Sequence, residues 1–488
     1  MGMASAGKVN KRIDRLIALA QKQTAAGNLE RACNTVATCA LTMYTSNGRY
    51  MEPRLEDCLD QLAAFFPMPQ EQLPPEKDAV LVYDGFGLAG RGLIMIYLEA
   101  LCARHTVTLV TRWAWHQSMA EAIALVESRG GQVCFLNGRK KTEDIRALQQ
   151  MITDSGAGHL FMYANSDDAV VTTAFLRAGE GRIRYQINLT DHAFWVGTRC
   201  MDKCIEFRNY GAAISHAHRD ISREKLVKLP FYPYIPENQA FLGYPGAFDE
   251  ETQQLVFSGG ALYKTLSKDD SYYCMVDMLL REHPQVVFWY AGMGDGTKLK
   301  QLAKKYPGRV WHTRERQDLF AVMQRCTFYL STYPICGGLM MQYAAAAGKV
   351  PVTLKFDNIS DDFLTDQMDL GIEFDTPGLA HAEMSRLLTD PQYRRMREAE
   401  LAGSVPQREN FADLLERLLE TGDTGMAIDH SLPQTDRLQR LYVDHYTNQK
   451  MCMDLVRRGN GYLFFRFPFA YARGFLLKAW RKLIQFPK

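Results

Sequence analysis

Apolar residues Ile13, Leu16, Ile17 and Ala20 recur every three to four positions among polar ones, which predicts an amphipathic helix broken at Gly27-Asn28. A second helix is predicted from about Leu29 to Tyr44 and a third from about Pro53 to Phe66. Residues 1–70 therefore read as a helical extension; no second copy of the unit follows, which argues against a repeat array. Pro67–Lys77 carries four prolines and reads as a linker.

From Asp78 the period changes. Short apolar runs at Ala79–Tyr83, Val107–Val110, Val133–Leu136, His159–Tyr163 and Arg184–Asn188 alternate with helical stretches at Leu93–Ala103, Ser118–Ser128, Thr142–Ser155 and Asp168–Ala178. Continuous apolar runs of this length suit strands buried on both faces, and their alternation with helices predicts a parallel, doubly wound sheet. Residues 78–235 form one Rossmann-like lobe on this reading. The proline- and aromatic-rich stretch Leu229–Pro236 predicts an extended connection. A second alternation follows over residues 245–400, with strands at Gln254–Ser258, Val286–Tyr290, Val310–Thr313, Thr327–Ser331 and Val350–Leu354. Residues 401–488 read as closing helices and a basic, amphipathic helical tail. The fold class is α/β, two Rossmann-like doubly wound lobes with helical additions at both ends.

Composition narrows the function little. The chain has 488 residues, 47% hydrophobic and 23% charged, with a net charge of +2, so nothing in the bulk charge calls for a nucleic-acid partner. Eleven scattered cysteines without a framework spacing fit reduced thiols. The polar start Met1–Lys8 has no apolar leader segment, Ala6 stands where a myristoylation motif needs Ser or Thr, and no apolar run reaches the roughly 20 residues of a membrane span. A cytoplasmic location is expected.

The second lobe carries the clearest chemistry. Phe257-Ser258-Gly259-Gly260 is a strand running into a tight turn, with Lys264 just beyond; Ser331-Thr332-Tyr333-Pro334-Ile335-Cys336-Gly337-Gly338 is another strand end running into a helix. Bare amides at a helix start, with the helix dipole behind them, bind phosphate, and a lysine adds a full charge. Either glycine pair alone reads as a turn requirement. Two pairs on the carboxyl edge of one parallel sheet point to a phosphate site.

The ordered set Ser258-Gly259-Gly260…Lys264, Tyr290-Ala291-Gly292-Met293-Gly294-Asp295-Gly296, Thr313-Arg314…Asp318-Leu319 and Gly337-Gly338…Ala345-Ala346-Ala347-Gly348-Lys349-Val350-Pro351-Val352 resembles the donor lobe of the GT-B glycosyltransferases. The resemblance implies a nucleoside-diphosphate sugar as donor, uridine-based, with Gly292 and Gly294 beside base and ribose, and Arg314, Thr332, Gly337 and Gly338 lining base and diphosphate. Many retaining members place two glutamates seven residues apart at the start of the last helix. No Glu occurs between Glu315 and Glu373, which tilts the expectation to inversion and passes the ribose contact to Gln342 or to a backbone group.

In the first lobe the loop Gly85–Gly92, with Gly87 and Arg91, is the expected acceptor loop, beside the alternatives of a phosphate turn or a purely structural one. Asn188–Trp195 follows a strand, and His192 is the candidate general base, oriented or replaced by Asp191. Trp195 suits either sugar stacking or the core. Cys200, Cys204, His216 and His218 form a weak zinc candidate, with the two histidines expected to alternate on a strand. Asp167-Asp168 and Asp361-Asp362 are plain pairs rather than a metal triplet, so metal-independent transfer without a cofactor is expected. After Asp454 the sequence contains no acid, while Arg457, Arg458, Arg466, Arg473, Lys478, Arg481, Lys482 and Lys488 mix with Phe469, Phe475, Leu476 and Trp480. Two readings stand for that tail: a helix lying on an anionic membrane, or a closing helix packed back on the first lobe.

The expected activity is inverting transfer of a sugar to a hydroxyl of a glycan, lipid-linked or protein acceptor, as in surface polysaccharide or glycolipid assembly. A nucleotide-sugar 2-epimerase of the same architecture and a non-catalytic nucleotide-binding scaffold are the alternatives.

Overall fold

A computed structural model describes residues 6–70, 73–87, 92–236, 239–267, 269–356, 364, 370–446, 448–457 and 460–485. The chain divides into two compact units. The first takes Met1–Phe207, Gly211–Leu229 and Leu415–Lys488; the second takes Arg208–Tyr210 and Pro230–Leu414.

The first unit is built on strands β1 (Glu76–Asp84), β2 (Thr106–Arg112), β3 (Gln132–Leu136), β4 (Ala157–Tyr163), β5 (Ile183–Ile187), β6 (Lys203–Glu206) and β7 (Leu226–Lys228). They form one sheet in the order β3-β2-β1-β4-β5-β6-β7, with every pairing parallel. The central strands are wholly apolar where they are covered on both faces: Val80–Tyr83 and Leu160–Tyr163 are buried. The helices Ala6–Ala25, Leu29–Ser46 and Pro53–Ala63 form as the periodicity predicts. Isolated helices of this length are marginal in water, so their apolar stripes must dock. Ile13, Leu16, Ile17, Val36, Leu59 and Leu62 share one core with Leu160 of β4, with Phe175 of the helix Ala169–Phe175 and with Tyr446, Leu455 and Leu463 from the far end of the chain. Each such side chain gains roughly 1.5–3 kcal/mol on full burial. The two ends of the chain are also joined by polar contacts: Tyr462 Oη lies 2.8 Å from Thr35 Oγ1 and donates to the Arg31 carbonyl, and Asn460 Nδ2 donates to Thr38 Oγ1 at 2.7 Å.

The second unit has strands β8 (Gln254–Gly259), β9 (Val286–Ala291), β10 (Val310–Thr313), β11 (Phe328–Leu330), β12 (Pro351–Leu354) and β13 (Glu373–Phe374), again all parallel, in the order β10-β9-β8-β11-β12-β13. Both sheets grow outward from their first strand and then resume on its other side, the 3-2-1-4-5-6 order of Rossmann sheets. The reversal falls between β1 and β4 in the first unit and between β8 and β11 in the second. Loops leaving the carboxyl ends of these strand pairs diverge and leave a crevice.

The sequence reading omits β6, β7 and β13, which are short and carry Glu206, Lys228 and Glu373 inside them. It also places His216 and His218 on a strand, whereas both lie on the helix Asn209–Arg219. Among the described residues no helix is long and apolar enough to cross a membrane.

Candidate functional site

At the reversal point of the second sheet, the backbones of the loops after β8 and β9 run in contact. Gly260 adopts φ +130° and donates its N–H to the Ala291 carbonyl at 3.0 Å. Its own carbonyl accepts from Tyr290 Oη at 2.9 Å, and the Gly259 carbonyl accepts from Tyr329 Oη at 3.3 Å. A Cβ on Gly292 would stand 1.9 Å from the Gly260 carbonyl oxygen, and one on Gly294 (φ +139°) would stand 2.8 Å from Leu262 Cβ. These glycines are therefore demanded by close approach of backbone as well as by conformation.

Lys264 sits on the short 3-10 turn Leu262–Thr265 that follows. Its carbonyl accepts from the Ile335 N–H at 3.3 Å, which ties the turn to the loop after β11. A Cβ built on Gly260 would lie 3.9 Å from Lys264 Cδ and 3.9 Å from Thr332 Cγ2, so the lysine stem and the threonine methyl flank the glycine turn. A Cβ on Gly259 would meet Met340 Cε at 2.9 Å, which brings the first turn of the helix Gly338–Ala346 to the same place. That helix starts at Gly337 without a side-chain cap, and Met341 N–H is bonded back to the Gly337 carbonyl at 3.0 Å. The amides ahead of Met341 have no partner within the helix, by its geometry. Two glycine turns, a lysine and an uncapped helix start thus meet at the crevice where parallel sheets hold ligands.

Of the donor residues expected from sequence, Gly259, Gly260, Lys264, Gly292, Gly294, Thr332, Gly337 and Gly338 are linked by these contacts. Arg314 is exposed, and its Nη2 lies 3.6 Å from the Met293 sulfur. Thr332 directs its hydroxyl inward to the Ile335 carbonyl at 2.7 Å, shaping the loop. Gln342 is buried one turn into the helix, and its Nε2 donates to the Phe231 carbonyl at 2.9 Å; this placement makes it a tether for the segment after β7. Tyr329 and His312, whose Nε2 lies 2.9 Å from the Gly292 carbonyl, were read only as strand residues although, with Tyr290, they fix the site's backbone.

In the first unit, the loop after β5 is held at four successive carbonyls. The buried Arg219 donates through Nη2 to the carbonyls of Thr190 (3.0 Å), Asp191 (2.9 Å) and Ala193 (2.8 Å), and Asn47 Nδ2 donates to that of His192 at 2.9 Å. His192 Nδ1 lies 3.1 Å from Asp191 Oδ1, with the carboxylate buried and the imidazole partly open. A proton on Nδ1 shared with that carboxylate leaves Nε2 as the basic nitrogen. Glu206 anchors the floor: it accepts from Asn188 Nδ2 (2.9 and 3.0 Å) and from Ser215 Oγ (2.5 Å), and burial pushes its carboxyl above the usual range. Neither Arg219 nor Asn47 has a local signature in sequence, since their partners lie 26 to 29 and 145 residues away.

Gly87 has φ +62°, and a Cβ there would stand 2.1 Å from Trp115 Cδ2. Its N–H donates to Asp84, whose carboxylate also accepts from Phe86 N–H and Thr111 Oγ1; burial raises that carboxyl to about 6. Arg91, the other residue expected on the acceptor loop, lies outside the described residues, as does the Asp361-Asp362 pair. The zinc candidate does not assemble. Cys200 donates to the Gly197 carbonyl, Cys204 lies on Glu206, His216 contacts the Ile221 carbonyl and His218 stacks on Tyr50. Among the described residues no three of His, Cys, Asp and Glu are grouped as metal ligands would be.

No protein-family model matches the sequence, and no curated protein sequence matches it. Solved structures do match. A mutant O-GlcNAc transferase of Thermobaculum terrenum is similar over 88% of this chain and 84% of its own, at 14% identity and a TM-score of 0.50. HepE of Anabaena, in complex with UDP and glucose, is similar over 70% of this chain and 99% of its own, at 13% identity and a TM-score of 0.51. The UDP-GlcNAc 2-epimerase of Neisseria meningitidis is similar over 70% of this chain and 100% of its own, at 11% identity and a TM-score of 0.46. Two Rossmann-type units with helical additions define the GT-B fold, and this chain has it.

Proposed function

We propose that this protein is a glycosyltransferase that moves a sugar from a UDP-linked donor to a hydroxyl acceptor, with inversion and without a metal ion. The reading rests on one observation: the Gly259-Gly260 turn, Lys264 and the start of the helix Gly338–Ala346 converge at the reversal point of the second sheet. Preorganised amides and a lysine would stabilise the charge that develops on a leaving diphosphate, commonly a large catalytic contribution. The UDP and glucose in the HepE complex support uridine as the base.

In this mechanism the acceptor hydroxyl gives its proton to His192 Nε2 as its oxygen attacks the anomeric carbon. The bond from that carbon to the β-phosphate oxygen breaks, and UDP departs with the electron pair. Asp191 stabilises the imidazolium through Nδ1. The lack of any Glu between Glu315 and Glu373 favours this direct displacement over a retaining route. The acceptor would be a glycan, lipid-linked or protein hydroxyl, met in the cytoplasm where UDP-sugars are made.

The test incubates the protein with a panel of UDP-hexoses, with and without a glycan acceptor library, and follows UDP release and product mass. Acceptor-dependent UDP release that falls at least about a hundredfold in His192→Ala supports the proposal. Conversion of a UDP-sugar in the absence of acceptor assigns the chain to epimerisation instead. Binding of a nucleotide sugar without any turnover returns it to the nucleotide-binding scaffold reading.

A further inference from the structure

The last helix, Pro468–Gln485, packs through its smallest residues. Gly474 is buried so closely against the helix Asn448–Arg457 that a Cβ there would lie 2.2 Å from the Cys452 carbonyl oxygen, and Lys478 Nζ reaches the Val456 carbonyl at 3.4 Å. Ala470 and Leu477 lie on the same side, partly covered. At 100° per residue, Phe469, Leu476 and Trp480 fall on the opposite side of that helix. All three are exposed, Phe469 at 91%, Leu476 at 68% and Trp480 at 60%, and Phe465, at the end of the preceding turn Leu463–Arg466, is 88% exposed. This inverts the usual order, in which an amphipathic helix buries its large apolar side chains.

The helix is nevertheless firmly seated. Phe467, just ahead of it, is buried beneath Arg15, whose guanidinium lies 4.6 Å from the ring centroid, and Arg15 Nη2 also donates to the Arg466 carbonyl at 3.0 Å. The apolar stripe is therefore presented by a fixed mount. Arg466 and Arg473 stand exposed around it, and the chain beyond Asp454 has eight basic residues and no acidic one.

We infer that this face is a membrane-docking surface for anionic lipid, lying in the headgroup region with Phe465, Phe469, Leu476 and Trp480 inserted and the arginines on phosphate. Large apolar and aromatic side chains on one side of a helix, flanked by cations and unmixed with acids, are what such an interface selects. A protein partner or a second copy would have to meet the exposed Arg466 and Arg473 with no acid in this segment to match them. The inference is independent of the donor site.

The experiment is flotation of the full-length protein with phosphatidylglycerol–phosphatidylcholine vesicles and with phosphatidylcholine alone. Binding is expected to the mixed vesicles only, weakening as salt rises. Phe469→Ser/Leu476→Ser/Trp480→Ser is expected to lower partitioning at least about tenfold. Arg466→Gln/Arg473→Gln is expected to lower it several-fold while the thermal transition stays where it is. No binding to anionic vesicles, or equal binding by the triple variant, overturns the inference. A wild-type dimer that the triple variant converts to monomer, without vesicle binding, reassigns the face to contact between copies and also overturns it.

Discussion

The carbonyl oxygen of Gly260 occupies the space where a side chain on Gly292 would begin: a Cβ there would lie 1.9 Å away. This contact joins the loops after β8 and β9 and aims the Gly259-Gly260 turn at Lys264 and Thr332. Because the obstacle is backbone already bonded to Tyr290 Oη, it has little room to yield. Gly292→Ala should cost about 1–3 kcal/mol of stability and lower nucleotide affinity as well. Thermal melts and a nucleotide titration on the same sample check both.

Gly337 offers the contrasting case. Its φ is −106°, and its nearest neighbour to a new Cβ is Met340 Cβ at 3.5 Å, an ordinary contact. Gly337→Ala should leave the melting temperature close to that of the parent while crowding the uncapped helix start. Affinity for UDP should fall with stability intact. Unchanged affinity would remove Gly337 from the site.

Arg219 is predicted to act on turnover through the loop it holds. Arg219→Ala leaves Glu206 buried without its cation and should destabilise by about 3–5 kcal/mol. Arg219→Lys keeps the charge but loses the planar fork, whose Nη2 meets the three carbonyls while Nη1 donates to Ser215 Oγ at 3.0 Å. Its expected signature is a fall in kcat with nucleotide affinity unchanged, since the donor residues are elsewhere. A fall in nucleotide affinity alone would contradict the positioning role.

Glu56 gives a pH prediction. It is buried beneath the Gly197 N–H, which it accepts at 2.9 Å, and burial raises its carboxyl to about 7 from an ordinary 4.5. The native state holds the proton more tightly than the unfolded chain. Its stabilising contribution is complete below pH 4.5 and is lost as pH rises through 7. Glu56→Gln, permanently neutral, should therefore gain stability relative to the parent between pH 5 and 8, by roughly 3 kcal/mol at about 1.4 kcal/mol per pKa unit. Urea unfolding at the two pH values reads the difference. A constant gap would contradict the raised carboxyl.

Much of this architecture was legible in the sequence because the central strands are uninterrupted apolar runs. Val80–Tyr83, Val286–Tyr290 and their neighbours could be recognised, and so could the glycine turns that close them. The short strands β6, β7 and β13 were not, because they carry Glu206, Lys228 and Glu373, and the partner that satisfies the buried Glu206, Asn188, lies 18 residues away. His216 and His218 misled for a related reason: two residues apart, they mimic strand alternation, but the helix Asn209–Arg219 is set by its packing. The turns at Gly260, Gly292 and Gly294 announced themselves through backbone demands. The clamp of Arg219 and Asn47 on the His192 loop did not, since a hydrogen bond to a carbonyl leaves no mark on the residue that accepts it. The tail's composition was plain, but which side of its helix faced outward depended on Gly474 and its neighbour.

The most direct test of the donor site is calorimetric titration with UDP, beside GDP, of the parent and of Lys264→Ala. The account predicts UDP binding that weakens at least about tenfold in the variant, as loss of a lysine–phosphate contact should, while the melting temperature of the free protein stays nearly constant. Failure of the parent to bind either nucleotide, or equal UDP affinity in parent and variant, would contradict the assignment of the turn, the lysine and the helix start as a diphosphate site.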